Sequence, residues 1–197
     1  MDHTGALPAA IDLIKPAKVF ASMAGAKANE DHFHAALPIT AIKNGATLKL
    51  GNSTLTFLET KMLHWPDSMF SFFAEDGVLF SEDGFGMHLA TTELFTDLNE
   101  PATVRYEAAK YYANILLPYS HFVTHVLDEL QKLNPDLKII APDHGPVWRT
   151  PAEVQKILAL WRTWSLQKPN RKAVIVYDTM WGSTAKLASA IADGLMA

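Results

Sequence analysis

Between residues 39 and 81 the chain alternates apolar and polar positions in runs of strand length. Beyond Gly86 the apolar positions recur at three- and four-residue spacing instead. The first regime predicts strands at 39–43, 47–50 and 54–60, separated by the turn signals Asn44-Gly45 and Gly51-Asn52. Two further apolar runs, 69–74 and 78–81, flank Asp76-Gly77, an acidic-Gly pair that marks a hairpin. Taken in order, these runs predict a meander of five strands. The second regime predicts helices at 105–118 and 120–134, with Pro118 breaking the chain between them. Ahead of the strands, a helix is expected from Thr4 or Gly5 to about Ile14, then a short buried strand at 18–22 and a small-residue helix at 23–34. A strand at 137–141 follows the later helices. Thr150 then caps a helix that opens at Pro151 and runs to about Gln167. After the linker Lys168-Pro169-Asn170, residues 172–177 read as a fully buried strand. A loop at 178–184 leads from it into an apolar-periodic helix at 185–196.

Composition narrows the function classes. The 197 residues are 49% hydrophobic, enough for a packed core. The net charge is -4, and no long basic run occurs, so nucleic acid is not an expected partner. Cysteine is absent, which excludes disulfides, thiolate zinc sites and iron–sulfur clusters within these residues and fits a reducing, cytoplasmic setting. No apolar run approaches the ~20 residues of a membrane span, and the start, Met1-Asp2-His3, has no signal-peptide pattern. No membrane association is therefore expected.

The candidate chemistry sits at strand ends. His64 stands just before the first hairpin strand and Asp83 just after the second. A tight hairpin brings its outer ends together, which places imidazole beside carboxylate, a pairing that suits iron, zinc or manganese. A capped hairpin with a chance histidine accounts for the same residues. His144 ends the 137–141 strand on the turn P-D-H-G-P-V-W. Asp2 and His3 precede any element that could hold them and also fit a frayed terminus with an N-cap. His32 and His34 fall on different helix faces and read as surface residues. His121 and His125 have metal-competent spacing but no accompanying glutamate in a zinc-protease pattern, so they too read as surface or interface histidines. Tyr106, Tyr111, Tyr112 and Phe122 are assigned to packing, as are Trp161 and Trp164. The 178–184 loop, with hydroxyls at Thr179, Ser183 and Thr184, has the composition of a phosphate nest ahead of a helix N-terminus. An ordinary strand-to-helix turn is the other reading.

Five motifs in order, M-D-H-T-G, L-H-W-P-D-S, S-E-D-G-F-G, D-H-G-P-V-W-R and Y-D-T-M-W-G-S-T, resemble those of the flavodiiron proteins (A-type flavoproteins), of the rubredoxin:oxygen oxidoreductase type. The resemblance runs the length of the chain. It implies an α+β/α/β fold: the second half of a metallo-β-lactamase-like αββα sandwich over residues 1–167, then the first β-α unit of a flavodoxin-like domain over 168–197. It implies two non-haem irons, with His64 on one, Asp83 bridging both, and Asp2 and His144 on the second; His3 matches a further family position. It implies that Thr179, Met180, Trp181, Gly182, Ser183 and Thr184 hold the phosphate of FMN. The implied activity is reduction of O2 to water or of NO to N2O. Rubredoxin or a similar small protein is the implied electron donor, and the implied assembly is a head-to-tail homodimer with Trp65 near the partner's flavin.

The chain also departs from that pattern. The family places a His and a Glu just upstream of the Asp-His pair, and this sequence starts between that Glu and Asp2. An internal fragment is the expectation, with weak iron binding, almost no FMN binding and no reductase activity of its own. An open sandwich core is expected too, with Phe70, Phe72, Leu55 or Phe57 unusually exposed. The rival readings are a metal-dependent hydrolase of the same superfamily and an inactive binding module.

Overall fold

The computed structural model describes residues 3–133 and 135–197, so the expected ligand Asp2 lies outside the described residues. The chain divides into two compact units, Met1–Leu166 and Gln167–Ala197.

The first unit is built on a five-stranded sheet. Strands β3 (Thr47–Leu50), β4 (Ser53–Glu59), β5 (Met69–Phe73) and β6 (Val78–Phe80) follow one another antiparallel, and β7 (Ile139–Ala141) joins the β6 edge in parallel. The expected hairpin is present, with Phe73 paired to Val78 and Gly77 at φ +67° in the turn. The five-strand meander is not. Its expected first member, β2 (Ile39–Ile42), leaves the sheet and pairs in parallel with β1 (Val19–Ser22). The cause is the intervening helix α2 (Met23–Phe33). A helix between two strands returns the chain in the same direction, which makes a parallel pair rather than a hairpin. A short helix, α1 (Leu7–Ile14), precedes this element, with its proline in the first turn.

Alternation along the strands divides the sheet into two faces. Leu58, Phe70, Leu79 and Ile140 occupy one face and form the core with side chains from three helices, α3 (Pro101–Tyr111), α4 (Ser120–Leu133) and α5 (Pro151–Ser165). Phe72 packs at the edge of that core. Leu55, Phe57, Phe73 and Phe80 occupy the opposite face. The expected exposure therefore needs correction. Phe70 is fully buried because it lies on the helix side. Phe57 is buried as well, with its ring centroid 6.5 Å from that of Phe20 on β1. Leu55 and Phe72 are half-buried. Among the sheet's apolar side chains, Leu50 on the edge strand β3 and Phe80 at the end of the interior strand β6 are the ones left open, at 49% and 50% exposed.

Glu100 caps α3 through its side chain, which accepts from Thr103 N, so the helix begins earlier than periodicity predicts. It runs into a π-helical turn (Tyr112–Leu116) and a 3-10 turn around Pro118 before α4 begins. His121 and His125 are exposed on α4. Trp161 is buried against Phe85 and Tyr112, as packing requires. Tyr106, assigned to packing, is exposed instead.

In the second unit, helix α6 (Ser183–Met196) forms as expected, starting two residues earlier. Residues 172–177 are not a strand: they make no ladder among the described residues, and Val174 and Val176 are 85% and 90% exposed. Their sequence suits a buried parallel strand, but such a strand exists only when neighbours take up its backbone groups. No helix among the described residues is long and apolar enough to cross a membrane.

Candidate metal centre

Three loops at strand ends meet at one carboxylate. The first carries His64. It is folded back by Thr60 N donating to Ser68 O (2.9 Å) and Met62 N to Trp65 O (2.8 Å), and it is anchored by the buried Leu63. The second carries Asp83 past the end of β6. Gly84 N donates to Ser81 O (2.7 Å), the Ser81 hydroxyl to Gly84 O (2.6 Å) and Gly86 N to Asp83 O (3.2 Å), so two successive turns fix the Asp83 backbone. The third follows β7 and carries His144. Its carbonyl accepts from Met87 N (3.1 Å), and Asp143 N donates to Glu82 O (2.8 Å), which ties the second and third loops together. Gly145 has φ +82°, and a Cβ there would stand 2.6 Å from Met87 O. Only glycine meets both conditions. Trp148 completes the support by donating its indole N–H to Phe85 O (2.9 Å).

The geometry is that of a hub. The Asp83 side chain is 4% exposed, and imidazoles approach both of its oxygens. His64 Nε2 lies 3.2 Å from Oδ2. His144 Nε2 lies 3.2 Å from Oδ1, and His3 Nε2 lies 3.4 Å from the same oxygen. Donor atoms of His3, Asp83 and His144 fall within 4.8 Å of one another, the spacing a single metal ion can span. Imidazole nitrogen with carboxylate oxygen is a donor set for iron, zinc or manganese. Of the expected ligands, His3, His64, Asp83 and His144 therefore come together, and Asp2 is outside the described residues.

Two contributors were not singled out from the sequence. Asp143 pairs with His3 Nδ1 at 2.8 Å. A carboxylate on one ring nitrogen orients the other toward a metal, and the directing signal was its place beside His144. Tyr111, assigned to packing, is buried but aims its hydroxyl at Asp83 Oδ1 (3.2 Å). Glu82, next to Asp83, has φ +50°. Burial pushes its carboxyl up from 4.5 to about 7, against the hydrogen bonds it accepts from Ser68 and Met69 N, with the neighbouring Asp83 charge adding to the rise.

In the second unit the loop ahead of α6 folds on itself. Thr179 N donates to Asp178 Oδ1 (2.7 Å), and Gly182 N donates to the Thr179 hydroxyl (2.9 Å). Met180 and Trp181 project into solvent. Thr179, Gly182, Ser183 and Thr184 thus gather at the N-terminus of a 14-residue helix, where the backbone dipole favours an anion.

The family model described as ODP family beta lactamase matches residues 2–145. This chain belongs to that family. The ODP-family chain is 44% identical over 197 residues to a nitric oxide reductase of Moorella thermoacetica, covering 100% of the chain and 49% of that protein. It is 42% identical over 194 residues to a rubredoxin-oxygen oxidoreductase of Megalodesulfovibrio gigas, covering 98% and 48%. Among solved structures it is similar to the rubredoxin oxygen:oxidoreductase of Desulfovibrio gigas (TM-score 0.92, 41% identity, 98% of this chain and 48% of that one). It is also similar to the flavodiiron protein of Giardia intestinalis (TM-score 0.80, 31% identity, 89% and 42%). The expected resemblance to flavodiiron proteins and the expected metallo-β-lactamase-like fold are thus borne out. The ODP-family chain spans about half the length of the curated relatives it matches.

Proposed function

We propose that this chain contributes to a non-haem diiron site in a protein that reduces O2 to water or NO to N2O with electrons passed through FMN. The observation that supports this most directly is the division of labour on Asp83, whose Oδ2 faces His64 while Oδ1 faces His144 and His3. A carboxylate with separate nitrogen donors on its two oxygens suits a pair of metal ions. In this reading His64 would hold one iron, Asp83 would serve both, and Asp2 and His144 would hold the second, with His3 beside it. Residues 1–167 are then the diiron domain and 168–197 the start of a flavodoxin-like domain, where Thr179, Met180, Trp181, Gly182, Ser183 and Thr184 cradle the FMN phosphate.

When bound, the iron pair would supply redox chemistry toward the diatomic substrate and the flavin would supply electrons to it. Reduction of one O2 to two waters takes four electrons and four protons. Joining two NO into one N2O and one water takes two of each. The chain's own side chains hold the geometry. The buried Asp83 carboxylate stays fixed by its turn, and Asp143 on His3 Nδ1 directs Nε2 toward the centre. Tyr111 presents a hydroxyl proton at Asp83 Oδ1. A rubredoxin-like donor, a head-to-tail homodimer in which the exposed Trp65 lies near the partner's flavin, and a cytoplasmic location complete the proposal.

The test is anaerobic titration of the chain with Co2+ and Fe2+, followed by visible absorption. Binding is expected, weakened at least about tenfold by Asp83→Ala. An unchanged affinity in Asp83→Ala, or no binding at all, overturns the reading. Preferential zinc binding with ester hydrolysis also overturns it, in favour of a hydrolase.

A further inference from the structure

We infer that His88 is a positioning residue of this centre: a wedge that keeps Tyr111 and His144 trained on the same oxygen of Asp83. The inference rests on the reading of Asp83 as a metal ligand.

Among the described residues His88 belongs to none of the ion pairs around Asp83, yet it touches two of the groups that converge there. Its ring centroid is 4.8 Å from that of Tyr111 at an interplanar angle of 82°, and 5.5 Å from that of His144 at 80°. Both contacts are edge-to-face, the arrangement aromatic quadrupoles favour. Tyr111 and His144 in turn each reach Asp83 Oδ1 at 3.2 Å, one through its hydroxyl and one through Nε2. The backbone supports the same placement. Met87, the residue before His88, donates its N–H to the His144 carbonyl, so the wedge and one of the rings it supports are tied to a common frame.

Burial separates this role from ordinary packing. Met87 is fully buried in the core, whereas His88 is exposed. Truncating an exposed ring removes little core volume, so its loss falls on the two side chains it braces rather than on the fold. Tyr111 is buried at its ring. Without the His88 edge against it, the phenol gains rotational freedom and its hydroxyl leaves Oδ1 for part of the time.

Two measurements test this. The first needs no metal: the chain is labelled with 13C-tyrosine and the Tyr111 ring signals are followed by NMR. His88→Ala is expected to shift and sharpen them, and His88→Phe, which keeps an aromatic edge, to restore them. Unchanged Tyr111 signals in His88→Ala, or a Phe variant that behaves like the Ala variant, overturn the inference. The second is the Co2+ titration. His88→Ala is expected to weaken binding about threefold to tenfold, the range of one edge-to-face pair, and the loss should shrink in a Tyr111→Phe background, where only the brace on His144 is left to lose. A full, additive loss in that background overturns the wedge. Failure of the unsubstituted chain to bind Co2+ counts against the metal reading itself, and the NMR result still decides the role of His88.

Discussion

Gly84, next to the hub carboxylate, gives the sharpest stability prediction. A Cβ at this position would lie 2.5 Å from Phe70 Cζ, 2.7 Å from Phe70 Cε1 and 2.9 Å from Ser81 O. Carbon atoms in good contact sit at roughly 3.5–4.0 Å, so Gly84→Ala requires a movement of about 1 Å. Neither neighbour can supply it cheaply. Phe70 is fully buried, with the Phe85 ring 5.9 Å away, and Ser81 O is held by the turn hydrogen bond from Gly84 N. Overpacking of this kind costs about 1–3 kcal/mol. Stiffening of the unfolded chain returns about 0.4–1 kcal/mol, which leaves a net loss of about 1.3 kcal/mol at the midpoints of the two ranges. Urea unfolding followed by tryptophan fluorescence measures this directly. Phe70→Leu frees the space that the new methyl needs, so the double variant should be more stable than additivity predicts by about 1 kcal/mol. A Gly84→Ala chain within about 0.5 kcal/mol of the parent, or strict additivity in the double variant, refutes the steric account.

Two further outcomes are expected. Glu82 keeps its proton in the folded, metal-free chain until about pH 7, whereas the unfolded chain releases it near 4.5. Its contribution is therefore fully present below the lower value and lost as pH rises through the upper one, by roughly 3 kcal/mol at most. Urea unfolding at about pH 5 and about pH 8 should show this fall in the parent and a flatter profile in Glu82→Gln, and parallel profiles would disprove it. Thr150 caps α5 by accepting from Glu153 N at 3.2 Å; Thr150→Ala should cost about 1 kcal/mol in the same assay, and a neutral result would mean the cap is idle.

What the sequence disclosed and what it withheld follow from the range of the interactions involved. The hairpin at Asp76-Gly77, the cap at Thr150 and the break at Pro118 are each decided within a few residues, and each stands in the structure where periodicity and turn chemistry put it. The juxtaposition of His64 and Asp83 is almost as local, because a hairpin fixes where its outer ends meet. The pairing of β2 was hidden. Its I-T-A-I pattern says that it is a strand but not which neighbour it takes, and the helix that decides this lies upstream. Phase along the hairpin was a finer matter of the same kind. Phe70 and Phe72 share the helix-covered face, while Leu55 and Phe57 share the other, so no single exposure could hold for all four.

Tyr111 shows the limit most clearly. Apolar spacing on its helix predicts a packed ring, and the ring is buried as predicted. The hydroxyl, however, meets a carboxylate 28 residues earlier in the chain, just before the π-helical turn begins at Tyr112. Burial and chemistry are separate properties of one tyrosine, and periodicity reports only the first. The same separation applies to His88, whose exposure makes it look like surface while its two ring contacts set it beside the groups that converge on Asp83. In this fold the groups that converge on Asp83 are announced by strand ends and turns, whereas the groups that aim them come from elements whose meeting only the tertiary structure fixes.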